Sequence, residues 1–214
     1  MSYTLNIKTD LSLLLRNQKL TPAKEKLLLS SIHLFSLYGY NGVSTSKIAE
    51  EANVSEATLF KYFKSKRGLL EAIISPIIDN FVPSYEDIFA EQLEHRKHSD
   101  LKSLVHYIVT DRLKFLRKNK EIVCILLSQL LIDDDVRTQL ITHLEKNHDA
   151  NANKIYDIFL STDELASDID YSALLRIVMG QLVIYFTQSF LFKNTQINQK
   201  DLEAQIYRAL KKEA

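Results

Sequence analysis

The stretch that decides the fold is Ser44-Thr45-Ser46-Lys47-Ile48-Ala49-Glu50-Glu51-Ala52-Asn53-Val54-Ser55-Glu56-Ala57-Thr58-Leu59-Phe60-Lys61-Tyr62-Phe63. Two short helical patterns meet in it around a tight turn. Ala49 and Ala52 are small enough for close helix packing, and Ile48, Val54 and Leu59 supply a shared core. Asn53 is one of the few residues besides glycine that tolerates left-handed backbone, and Ser55 is a good N-cap for the second helix. The pattern predicts a helix-turn-helix. In such a motif the second helix can lie in a major groove with Glu56, Ala57, Thr58 and Lys61 turned towards base edges while the first crosses the backbone. Ser44 and Thr45 fall at the first helix's N-terminus, where free amides and the dipole favour a phosphate.

Outward from this stretch the chain reads as all-helical, with about nine to ten helices. Four glycines and three prolines in 214 residues leave little turn chemistry, and no hairpin signal separates alternating apolar runs. Upstream, Thr21-Pro22 is an N-cap followed by proline at the first helical position, and Leu27, Leu28, Ile32, Phe35 and Leu37 run on to a stop at Gly39. Downstream, Ser65-Lys66 opens a fourth helix. Longer helices are expected over Ser84–His95, Ser99–Asn119, Lys120–Ile132, Asp133–Leu160, Asp170–Lys193 and Asn198–Lys211. Pro76 and Pro83 are expected to break or kink the segment between about Lys66 and His95. The expected organisation is an extension over 1–20, a three-helix DNA-binding domain over 21–68 and a larger helical domain over 69–214.

The arrangement Phe35-x-x-Tyr38-Gly39-Tyr40-x-x-x-Ser44-x-x-x-Ile48-Ala49-x-x-Ala52-x-Val54-Ser55-x-x-Thr58-Leu59-Phe60-x-Tyr62-Phe63-x-Ser65-Lys66-x-x-Leu69 resembles the N-terminal domain of the TetR family of transcriptional regulators. The resemblance covers about residues 22–70. It implies a homodimer with one DNA-binding domain per subunit and a C-terminal ligand-binding and dimerisation domain whose small-molecule effector alters affinity for a near-palindromic operator. The expected function is therefore that of a ligand-responsive regulator, a repressor, acting in the cytoplasm. The resemblance also implies that Ser44, Thr58, Tyr62 and Lys66 hold the DNA backbone or set the recognition helix against it. Asn53 stands where the family commonly has glycine. Phe60 replaces a frequent tyrosine, deleting a hydroxyl and leaving an apolar or stacking contact, and Lys61 and Lys64 are placed to restore the lost backbone contact.

Net charge is zero, 27 basic against 27 acidic residues, which taken whole argues against a nucleic-acid partner. Divided at residue 70, the first part holds ten basic and five acidic residues and the remainder 17 and 22, giving +5 and −5. A basic head on an acidic body suits one-ended binding to phosphates. Four of the positive charges, Lys61, Lys64, Lys66 and Arg67, lie beside the proposed recognition helix.

The second domain says less. Its amphipathic helices carry polar residues inside apolar stripes: Tyr107, Asp111 and Phe115 on one helix, His148 on another, Gln181 and Tyr185 on a third. Apolar walls with a few convergent polar groups are what a ligand pocket needs, and these six are the candidate ligand contacts. Each is also readable as a satisfied core group. The two C-terminal helices carry more apolar surface than one buried face needs, so Leu175, Met179, Leu182, Val183, Phe186, Phe190, Leu202 and Ile206 are the candidate dimer interface, with Gly180 permitting close approach.

Other classes are disfavoured. One cysteine, Cys124, can neither staple a fold nor make a thiolate zinc site. His95-x-x-His98 has ligand spacing but no third partner, so no metal is expected, and Asp133-Asp134-Asp135 reads as a helix N-terminus rather than a calcium loop. No phosphate-cradling glycine loop or nucleophile elbow is present, which disfavours an enzyme, and no cofactor is expected. The longest apolar runs, Ile122–Ile132 and Leu182–Phe186, fall short of a bilayer span, and the first residues lack a signal peptide's pattern. The rival reading is a helical ligand-binding or scaffold protein whose helix-turn-helix serves protein interaction.

Overall fold

The computed structural model describes residues 6–7, 21–96, 98, 100–192 and 198–212, with the side chains of 82–86, 144–151 and 191 also outside the described set. Within it lie α1 (Pro22–Tyr38), α2 (Thr45–Glu51), α3 (Glu56–Phe63), α4 (Lys66–Pro76), a π-helical segment (Ile77–Phe81), α5 (Val82–Glu94), α6 (Leu101–Lys118), α7 (Lys120–Ile132), α8 (Asp134–Leu160), α9 (Tyr171–Phe186), a second π segment (Thr187–Leu191) and α10 (Gln199–Leu210). No strand occurs among the described residues, and the all-helical reading stands. The chain divides into two compact units, one holding Leu5–Tyr85 and Asn119–Lys146, the other Glu86–Lys118 and Asn147–Ala214. This differs from the boundary expected at residue 68. Ile122 and Ile125 of α7 are buried, and α7 packs on α1 inside the helix-turn-helix unit.

In the first unit, α1 to α4 enclose Leu27, Leu28, Ile32, Phe35, Ile48, Ala49, Leu59, Leu69 and Leu70. Local chemistry sets each boundary. Thr21 caps α1 by accepting from the Lys24 amide, and Gly39 ends it at φ +70°, a conformation that other residues rarely adopt. The turn between α2 and α3 places Asn53 at φ 53°, and α3 ends on Lys64 at φ 62°. Ser65 then caps α4 by accepting from the Gly68 amide at 2.9 Å. A Cβ on Gly68 would lie 2.3 Å from the Phe63 carbonyl oxygen, so only glycine fits there.

The expected break falls at Pro76, where the regular α-helix gives way to π-helical backbone before α-helix resumes at Val82. Pro76 is the last residue of α4, the π-helical segment Ile77–Phe81 follows it directly, and Pro83 is the second residue of α5.

In the second unit, α5, α6, α9, α10 and the end of α8 share one core, with Leu101, Leu104, Val109, Phe159, Leu174, Leu182, Ile206 and Leu210 among its buried members. The loop after α8 is pinned to the end of α10: the Ala166 amide donates to the Leu210 carbonyl and the Lys212 amide to that of Glu164, each at 2.9 Å.

Candidate nucleic-acid interface

The eleven residues expected to meet DNA lie on α2, on α3, at the caps Ser44, Ser55 and Lys64, and at the start of α4, all in the first unit. The exposed face of α3 is Glu56, Ala57, Phe60 and Lys61, spaced so that all four share one side of the helix, with Phe60 45% exposed. Leu59 and Phe63 face inward. Ser55 Oγ accepts from the Thr58 amide at 3.2 Å and lies 2.8 Å from the Thr58 hydroxyl, so these two side chains cap the helix. Ser44 caps α2 in the same way, accepting from the Lys47 amide at 3.2 Å with Ser46 Oγ at 2.9 Å. Thr45 departs from its expected role: its hydroxyl donates to Glu56 Oε1 at 2.5 Å, tying the first residues of α2 and α3 together.

The basic groups are held against aromatic rings. Lys66 Nζ lies 4.2 Å from the Tyr40 ring centroid, Lys61 Nζ 5.9 Å from that of Tyr62 and Lys47 Nζ 3.9 Å from that of Tyr38. Partial burial holds the Lys66 ammonium below the usual lysine range and raises the Tyr40 phenol. Lys64 is exposed.

Arg67 must be removed from the set of charges free to face phosphates. Its guanidinium pairs with Asp133, with Asp135 at 3.0 Å and with Glu71 at 2.9 Å. Asp133 in turn accepts from the Asp135 and Val136 amides at the start of α8. The hydrogen bonds from Arg67 hold the Asp133 carboxyl below its ordinary range. Nothing local to Arg67 announces partners 66 and 68 residues away. Beside this cluster a cleft of about 280 Å³ is lined by Arg67, Leu70, Glu71, Ile74, Ser75, Asp135, Val136 and Gln139.

None of the six candidate ligand contacts lines that cleft. Those described are engaged within the second unit. Tyr107 donates to Gln92 at 3.2 Å, buried Asp111 pairs with Arg112 at 3.5 Å, and buried Tyr185 accepts from Arg117 at 3.0 Å. Phe115 and Gln181 are half-buried, and the His148 side chain lies outside the described residues.

The candidate dimer residues separate into two faces. Leu182, Phe186, Leu202 and Ile206 are buried within their own unit, so they are not surface that a partner could cover. Leu175, Met179 and Val183 remain 42%, 43% and 37% exposed, Phe190 is half-buried against Phe186, and Ile184, which was not singled out, is 54% exposed. The expectation that no segment reaches bilayer length is also corrected. Tyr171–Phe190 is long and apolar enough by length and composition, because Arg176 and Gln181 interrupt its runs yet leave the average of the whole helix apolar, and 28% of the stretch is buried. Among the described residues no three metal-ligating side chains cluster. Cys124 is partly buried, and that burial raises its thiol pKa.

A tight two-helix turn braced by a preceding helix, with one face of its second helix exposed, defines a helix-turn-helix domain carried on a larger helical chain. Residues 27–73 match the family described as bacterial regulatory proteins, tetR family, so this segment is similar to a TetR-family N-terminal domain. An uncharacterized HTH-type transcriptional regulator, YvkB of Bacillus subtilis, is 38% identical over 90 residues, covering 36% of this chain and 48% of its own. The nucleoid occlusion factor SlmA of Haemophilus influenzae is 30% identical over 117 residues, covering 54% of this chain and 51% of its own. The chain thus spans about half the length of these curated relatives. The fold extends further: the fatty acid degradation regulator FadR of Bacillus halodurans superposes with a TM-score of 0.59 at 17% identity, over 88% of this chain and 94% of that one.

Proposed function

We propose that this protein is a homodimeric, ligand-responsive transcriptional repressor that binds a near-palindromic operator in the cytoplasm. The observation that carries the reading is the exposed face of α3, flanked by Lys61, Lys64 and Lys66 and set on a capped two-helix turn. α3 enters the major groove, while Ser44, Tyr62, Lys64 and Lys66 meet the backbone. The dimer forms through the outer face of α9, Leu175, Met179 and Val183, which gives its exposed apolar stripe a partner other than a bilayer. A small-molecule effector held among the polar groups of α6 and α9 acts through the helical path Lys66–Glu94 to change operator affinity. Fluorescence anisotropy with duplexes from around the protein's own gene, across a salt series, tests the reading. A sequence-specific complex at physiological salt is expected, and binding no tighter than to random duplex would refute it.

A further inference from the structure

Resting on the DNA-binding reading, we infer that Glu56 is a specificity determinant that reads a cytosine in each half-site, with Thr45 as its positioning residue. Glu56 is the first residue of α3 and the sole carboxylate of that helix, in a region otherwise rich in Lys. A negative charge there opposes phosphate binding, so general affinity for DNA gives no account of it. The helix dipole favours a carboxylate in a first turn, yet this one is not simply solvated. Thr45 Oγ1 donates to its Oε1 at 2.5 Å from the neighbouring helix, and among the described residues no hydrogen bond is made by Oε2.

The exposed neighbours narrow its role. Ala57 and Phe60 offer no hydrogen bond, Thr58 is turned to Ser55, and Lys61 is a donor only. Glu56 is therefore the hydrogen-bond acceptor of the exposed face. Thr45 fixes one of its oxygens and with it the direction of the other.

An ionised carboxylate accepts and cannot donate. In the major groove guanine presents N7 and O6 and thymine O4, all acceptors that repel it. Adenine places its N6 donor beside its own N7 acceptor, whereas cytosine's own edge offers the N4 amine and no acceptor. Glu56 thus favours cytosine by attraction and rejects the other bases by repulsion and lost hydration.

The test is selection from a randomised duplex pool with full-length wild type, E56Q, T45V and T45S, followed by anisotropy on the selected site and on its cytosine replacements. Wild type is expected to enrich an inverted motif with one cytosine per half-site, preferred roughly tenfold to a hundredfold over other bases. E56Q, which can both donate and accept, should admit adenine at that position alone. T45V should weaken the cytosine preference while T45S keeps it, a change in base frequency that a purely structural tie would not produce. A motif without the cytosine, or an E56Q variant that keeps the wild-type preference for cytosine over adenine, would overturn the assignment of Glu56. Unchanged base frequencies in T45V would overturn the role of Thr45. Enrichment of no motif by wild type would overturn the DNA-binding reading itself, and this one with it.

Discussion

Replacing Asp133 by Asn should loosen the join between α4 and the α7–α8 corner without unfolding the chain. The side chain of Asp133 is 12% exposed and that of Arg67 35%, so the pair is neither fully buried nor free in solvent. Breaking a buried pair costs roughly 3–5 kcal/mol and an exposed one about 0–1. Asn keeps the acceptor that meets the Asp135 and Val136 amides and loses only the charge. The expected loss is therefore about 1–2 kcal/mol, and Asp133→Ala should lose about 1 kcal/mol more with the cap. The pH dependence follows from the direction of the shift, because the Arg67 hydrogen bonds place the folded pKa of Asp133 below its unfolded value. Such a group stabilises fully above the unfolded value, near about 3.9, and its contribution is lost as pH falls through the folded one. Urea unfolding followed by far-UV circular dichroism, with hydrogen exchange of the α4 amides, should show wild type ahead of the Asn variant at neutral pH and level with it in strong acid. Equal stability at neutral pH, or a gap that persists unchanged in acid, would refute the reasoning.

Lys66→Ala should weaken binding almost uniformly across DNA sequences and lower the salt slope by about one phosphate's share, and a sequence-selective loss would mean that Lys66 reads bases. Met179→Lys puts a charge into the outer stripe of α9 and should convert the proposed dimer to monomer in sedimentation experiments, so an unchanged dimer mass would move the interface elsewhere. Asn53→Gly relieves the side chain at φ 53° and should leave stability level or raise it by up to about 1 kcal/mol, whereas a clear loss would mean the Asn side chain does more than tolerate the turn.

The features legible in the sequence were those whose causes are local. Thr21-Pro22, Ser44, Ser55 and Ser65 cap helices through amides three residues away, and each sits where the residue pattern puts it. Asn53 takes the left-handed turn because little else can. The bond from Thr45 to Glu56 crosses only eleven positions, yet it was not legible, because both residues have equally good outward-facing roles and no spacing rule chooses between them. The candidate ligand contacts failed to declare themselves for a related reason. A polar residue inside an apolar stripe signals only that a partner is needed, and for Tyr107 and Tyr185 the partners are Gln92 and Arg117 of the same unit.

α9 shows most plainly why the faces of a helix cannot be assigned from composition. Leu174, Val178, Leu182 and Tyr185 point into the unit's own core, while Leu175, Met179 and Val183, offset by one residue and so turned about 100° around the axis, stay exposed. Both rows are apolar at helical spacing, so periodicity finds two stripes and cannot say which one the subunit covers. The choice is made from outside the helix, by α6 and α10, which pack on α9 and leave its outer row free. The same limit governs the charge count. Arg67 adds to the +5 of the first seventy residues, yet its guanidinium is spent on Asp133 and Asp135 of the acidic remainder. Beside α3 the charge available to phosphates is therefore carried by Lys61, Lys64 and Lys66, which are strongly hydrated and make point contacts. Strong salt dependence should follow from them, and base selectivity must come from the remaining groups of α3.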